Sequence, residues 1–197
     1  MSKLLSMMMA KGSGGVEFKT SIYTTGNAYI NTHLANIDGY IIDVEVLDYP
    51  TSSGSTSNYV VGALTGSGES RIGNEINITY HPSFNSIFVC NYFNNSYANV
   101  VNYVSLNTKP QTVSLQCLNI TTATPSELDV FVFAGNVNGS AMYFCNVIKI
   151  KNLQLFSGNT KVADLKPAIV NGESGMYDTV GQQFCGNANS VGSLVCE

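Results

Sequence analysis

The chain has 197 residues, of which 44% are hydrophobic and 11% charged, with a formal net charge of −4. Disordered chains pair low hydrophobicity with high charge, and this one does neither, so a sizeable buried core is expected. Arg71 is the one arginine and no Lys/Arg cluster exists, which leaves no electrostatic footprint for nucleic acid.

Average charged content is about 25%, so Asn, Ser, Thr and Gly must cover this surface. Such a surface suits an extracellular or virion exterior, and also close packing of subunits, where charges are depleted. A chain of this length is expected to form one domain and to bury roughly 70% of its extended surface.

Residues 1–15, MSKLLSMMMAKGSGG, stand apart. Leu4, Leu5, Met7, Met8 and Met9 form a short, adaptable apolar run ahead of a Gly/Ser linker. They read as a flexible docking arm, and residues 16–197 as the folded domain. The run Leu4–Ala10 is broken by Ser6 and sits at the lower limit of a secretory h-region, so a docking arm is expected ahead of the alternative, a signal peptide. No run reaches the roughly 18 apolar residues of a membrane span, so no membrane partner is expected.

Strands are expected at Val16–Tyr23 and Ala28–Asn31, across a Thr25-Gly26-Asn27 turn, and then at Ile41–Leu47. In the last, Ile42, Val44 and Val46 share one face and Asp43 and Glu45 the other. After a polar loop come Tyr59–Leu64, Ile72–Tyr80 and Ser86–Tyr92. Asn91–Asn99 reads as a polar-aromatic loop. Val100–Leu106, Thr112–Ile120, Leu128–Ala134 and Ala141–Ile150 are further strands, with a Lys109-Pro110 turn, a helical turn at Pro125-Ser126-Glu127 and a loop at Gly135–Gly139. Ile148, Ile150, Leu153 and Leu155 alternate at period two with one break at Asn152, the mark of a bulge. Ser157-Gly158-Asn159 is a turn signal. Val162, Leu165, Pro167 and Ile169 follow, and Gly175–Phe184 closes as a hairpin. Ten or more short strands without helical periodicity predict an all-β, antiparallel two-sheet jelly-roll sandwich.

Groupings that carry chemistry are sparse. Asp43, Glu45 and Asp48 form the one acidic cluster; alternate carboxylates on a strand are the spacing of a retaining glycosidase pair, but a solvated strand face explains them as well. Trp, on which sugar-cleaving clefts stack their substrates, is absent. His33 and His81 have no ligand spacing, and no GxSxG elbow exists. Gly66-Ser67-Gly68 lacks the lysine and helix of a phosphate loop. No catalytic residue, metal or cofactor is therefore assigned. Tyr92, Asn94, Asn95 and Tyr97 are the binding candidates, because aromatic faces and paired amides suit neutral sugars. Five cysteines, Cys90, Cys117, Cys145, Cys185 and Cys196, leave at least one thiol free or intermolecular. Buried free thiols on strands, or a Cys185–Cys196 bridge, account for the rest.

Two stretches resemble a known family. Ile150–Gly158, Asp164-Leu165-Lys166-Pro167-Ala168 and Gly175-Met176-Tyr177-Asp178 through Gln183-Phe184 are similar to the C-terminal signature of concanavalin-like (laminin-G-like) jelly-roll domains in bacteriophage structural and bacterial surface proteins. Ile22–Thr32, IYTTGNAYINT, resembles the N-terminal signature of the same family. The middle, about residues 50–140, carries no match. The resemblance implies a concanavalin-like fold and no reaction. It points to a surface-exposed virion subunit of decoration or fibre type, bound to capsid or tail proteins through the arm, homo-oligomeric and open to glycan contact. The alternative is a lectin-like receptor-binding module on a phage or an extracellular or bacterial cell surface.

Overall fold

The structure is a computed structural model that describes residues 15–35, 39–49, 58–64, 75–81, 86–93, 96–97, 102–117 and 128–197. Its strands, in chain order, are β1 (Glu17–Phe18), β2 (Ile22–Thr25), β3 (Ile30–Asn31), β4 (Ile41–Asp48), β5 (Asn58–Leu64), β6 (Glu75–His81), β7 (Ser86–Phe93), β8 (Ser96–Tyr97), β9 (Asn102–Ser105), β10 (Gln111–Gln116), β11 (Phe131–Val132), β12 (Gly135–Val137), β13 (Ser140–Met142), β14 (Lys149–Ser157), β15 (Thr160–Val170), β16 (Glu173–Asp178), β17 (Gln183–Cys185) and β18 (Ser193–Cys196). Among the described residues there is no helix.

The strands form two sheets. One runs β10-β4-β14-β15-β16-β17, with β1 against β15 and β2 between β14 and β18. The other runs β13-β12-β5-β6-β7-β8, with β9 on β7 and β11 joining β3 to β5. Among the described residues every strand pairing is antiparallel except β12 with β5. The all-β two-sheet sandwich expected from the sequence is thus the observed architecture.

Alternation builds the core. Ile42, Val44 and Val46 of β4, Val113 and Leu115 of β10, and Ile150, Leu153 and Leu155 of β14 are all buried. They join Val61 and Ala63 of β5, Ile78 and Tyr80 of β6, and Ile87 of β7 in one cluster. Each such side chain contributes on the order of 1.5–3 kcal/mol when fully buried. Two buried threonines are satisfied by carbonyls: Thr24 Oγ1 donates to Cys145 at 3.0 Å, and Thr32 Oγ1 to Val130 at 2.8 Å. Among the described residues the buried Ser86 hydroxyl at the start of β7 is the one buried side-chain group without a partner.

Three two-residue hairpins follow from turn chemistry. Gly158-Asn159 joins β14 to β15 with φ 59° at the glycine, the geometry of a turn with glycine at its first central position. Asn138-Gly139 and Asn171-Gly172 each place two residues at positive φ, the turn that Asn-Gly favours because it matches strand twist. The bulge expected at Asn152 is present: Ile150 faces Val46 and Asn152 faces Glu45, so Lys151 is the inserted residue.

Several boundaries differ from expectation. Val16–Tyr23 is two strands, split where the Lys19 and Ser21 amides bond the Pro167 and Glu197 carbonyls. Gly135–Val137, read as loop, is the parallel strand β12. Leu128–Ala134 shortens to β11 because Phe133 turns to φ 66° and its amide bonds the Val60 carbonyl. Ala141–Ile150 is interrupted at Tyr143, φ 56°, and sheet resumes only at Lys149. The turn expected at Pro125–Glu127 lies outside the described residues.

Candidate functional site

Asn91–Asn99, expected as a loop, is mostly ladder. β7 extends to Phe93, and β8 returns against it with Tyr92 opposite Tyr97 and Phe93 opposite Ser96. The expectation failed because Tyr and Phe pair readily across strands, whatever the asparagines around them. Asn94 and Asn95 lie outside the described residues, as do the side chains of Tyr92 and Tyr97. Leu4, Leu5, Met7, Met8 and Met9 of the expected arm lie outside them too.

The acidic strand is a partnered outer face. Asp43 Oδ1 accepts from Ser114 Oγ at 2.6 Å on β10. Glu45 accepts from both residues of the bulge, Lys151 Nζ at 3.0 Å and Asn152 Nδ2 at 3.0 Å. Two residues of β14 therefore converge on one of β4, which is the local geometry that a bulge creates. Asp48 pairs with Lys109. His33, at φ 56°, is exposed and 3.7 Å from Asp129. The His81 side chain lies outside the described residues. Among the described residues no cluster of three or more His, Cys, Asp or Glu has metal-binding proximity.

The described thiols are free, which corrects the Cys185–Cys196 bridge. Cys185 sits inward on β17 with Sγ 3.8 Å from the Thr32 carbonyl, whereas Cys196 Sγ lies 3.5 Å from the Ala168 and Gly175 carbonyls. Burial pushes the Cys145 and Cys185 thiols up to about 12, so they stay protonated at neutral pH and are poor nucleophiles.

The C-terminal signature residues are committed to the fold. Asp178 is buried, and its carboxylate accepts three backbone amides: Asp164 at 2.9 Å and Val180 at 3.0 Å on Oδ1, Gly181 at 3.0 Å on Oδ2. It ties the closing turn to β15. Gly175 lies under the Phe184 ring and against the Cys185 carbonyl, where a Cβ has no room. Tyr177 meets Phe18 edge to face at 5.9 Å. The N-terminal signature is spent likewise. Ile22, Ala28 and Ile30 are fully buried, and a Cβ added at Gly26 would stand 3.2 Å from the Gly192 Cα.

A shallow cleft of about 310 Å³ lies where β2, the end of β4 and the approach to β14 meet, lined by Tyr23, Asp48, Tyr49, Asn146 and Lys149 among others. Two lysines guard it. Lys109 Nζ contacts Asp48 Oδ1 at 2.5 Å and the Tyr49 carbonyl at 3.0 Å, and lies 4.3 Å from the Tyr49 ring centre. Lys149 Nζ contacts Glu197 Oε2 at 2.6 Å and lies 5.0 Å from the Tyr23 ring centre. The Lys109 hydrogen bond holds the Asp48 carboxyl below the usual carboxylate range, and the Glu197 hydrogen bond raises Lys149. Both cations are thus matched by carboxylates, and the rim is close to neutral. Each lining ring has a lysine over it, and the exposed Asn146 amide is the polar group that this rim offers a neutral ligand. The sequence did not announce this cleft, because its lining comes from three stretches far apart in the chain, each unremarkable alone.

No protein-family model matches the chain, and neither does any curated protein or solved structure.

Proposed function

We propose that this chain is a bacteriophage virion structural protein, a surface-exposed decoration- or fibre-type subunit with a concanavalin-like jelly-roll fold. In this reading residues 1–15 dock it to capsid or tail proteins, and it works by adhesion, without a catalytic centre, metal or cofactor. The observation that carries the reading is the meeting of the two family-like stretches. β2 pairs with β14, setting Ile22 of the first stretch opposite Ile150 of the second. The two stretches that resemble one family are thus neighbours in one sheet. The low charge and the partnering of Asp43, Glu45 and Asp48 support a scaffold in place of a reacting site. Deleting residues 1–15 is expected to leave a folded domain, by circular dichroism, that no longer joins the particle. Unchanged incorporation would overturn the arm's role.

A second reading, a lectin-like module binding host glycans, is favoured by the neutral cleft at Tyr23 and Asn146. Glycan-array binding lost in Asn146→Ala but kept in Tyr92→Ala and Tyr97→Ala would put the contact in the cleft. The opposite pattern would put it in the β7–β8 hairpin, and no binding by the unaltered chain would remove this reading.

A further inference from the structure

We infer that β10 is a self-association edge, across which two copies of this chain join their β10-containing sheets into one continuous sheet. Strand β10 ends one sheet and is hydrogen-bonded on one side to β4. Among the described residues, none pairs with the outer side of Thr112–Leu115.

An open strand edge is a row of unpaired amides and carbonyls, and proteins that stay apart blunt such edges with shortness, charge, proline or bulges. The other terminal strands here are blunted by length. β1, β3 and β8 have 2 residues each, β13 and β17 have 3, and β9 and β18 have 4. The stretch of β15 that β16 leaves uncovered, Thr160–Asp164, carries Lys161 and Asp164. β10 has 6 residues and none of these devices within them. Its six residues pair with Val46 through Ile41 without a register shift, so the edge is straight. Thr112 and Ser114 are exposed and neutral, and Val113 and Leu115 point into the core.

The occupant is a second copy. A ladder closes only against an edge that is equally long, flat and uncharged, and another β10 meets that condition by construction. A two-fold pairing also satisfies both edges at once and leaves none open. Centred on Val113, antiparallel self-pairing sets Val113 opposite its counterpart, Thr112 opposite Ser114, and Gln111 opposite Leu115. No charges face each other. The acidic rows on the two β4 strands end up three strand spacings apart, about 14 Å, beyond the roughly 8–10 Å over which exposed charges act at ordinary salt. Both sandwiches keep their inner faces inward, so their cores extend side by side. This goes beyond the virion reading and does not depend on it, since the test uses purified chain alone.

Light scattering after size exclusion, over a wide micromolar range, is expected to give a dimer for the unaltered chain. The double variant Thr112→Lys/Ser114→Lys sets lysines opposite one another across the pair. It is expected to weaken association by about tenfold or more, with the far-ultraviolet circular dichroism unchanged, because a lysine at 114 stands beside Asp43. Thr160→Lys, on an exposed turn away from the edge, should stay dimeric. A monomer at every concentration, or a dimer that survives the double variant, overturns the proposal. If that variant fails to fold, hydrogen exchange of the unaltered chain decides. Amides of 112–115 are expected to exchange more slowly as concentration rises, and concentration-independent exchange there overturns the proposal equally.

Discussion

The ladder from β14 to β17 and the crossing segment from β11 to β13 reach the same buried layer by different means. In the ladder, local instructions suffice. Apolar alternation, a Gly-Asn turn, an Asn-Gly turn and the closing turn at 179–182 fold the chain back on itself three times, with one register shift between Leu155 and Phe156. In the crossing segment the backbone is bent by what it packs against. Phe133 is fully buried at φ 66°, its amide bonds the Val60 carbonyl at 2.8 Å, and its carbonyl accepts from Cys145 at 2.9 Å. A bulky residue at positive φ costs of order 1–2 kcal/mol. Burial of the ring and two long-range hydrogen bonds offset that cost. The contrast separates structure held by neighbours in sequence from structure held by neighbours in space.

The largest expected effect tests the second kind. Phe133→Ala removes the ring but keeps the bend, and should cost about 3–5 kcal/mol in urea unfolding. A loss under about 1 kcal/mol would mean that the ring does not hold the crossing. Next comes the ladder's one long reach. Asp178→Ala leaves three amides without their acceptor and should cost about 2–3 kcal/mol, with faster hydrogen exchange at Val180 and Gly181. Asp178→Asn, which keeps an acceptor oxygen, should fall between. Smaller again is Gly172→Ala. Nothing crowds that position, but φ is +82°, so the loss of about 1 kcal/mol is conformational alone.

The smallest effect is a pH dependence. Burial raises the Asp164 carboxyl, but the Gln154 amide at 3.0 Å, with Lys161 and Lys166, more than offsets it and leaves the group below its usual range. The folded value lies under the unfolded value of about 3.9. Its contribution is therefore complete above the unfolded value and is lost as pH falls through the folded one. Urea midpoints of the unaltered chain should drop more steeply below about pH 5 than those of Asp164→Asn; parallel curves would remove the assignment.

How much could be read beforehand divides along the same line. The Asn152 bulge and the Gly158 turn were visible because both are written in consecutive residues. Asn171-Gly172, an equally strong local signal, was overlooked in favour of the apolar pattern around it. β12 could not be read from its own residues, since a parallel pair with β5 answers to Gly62 and Ala63, far away in sequence. The cleft at Tyr23 and Lys149 stayed hidden for the same reason. The aromatic stretch at 91–99 misled, because its composition is that of a loop and its pairing that of a strand.

The seam between β2 and β18 has a mechanical consequence. The Glu197 carbonyl accepts from the Thr20 and Ser21 amides, and its own amide bonds the Ser21 carbonyl, so the two strands meet at one open corner. A load that draws residue 20 away from residue 197 would peel the seam one rung at a time, in the manner of a zip, and little force would be needed. Tension entering at Thr25 and leaving at Glu197 would instead run along the strands and strain every rung together. The same few hydrogen bonds would then resist far harder, so the direction of pull, more than the strength of any bond, sets how firmly this corner holds.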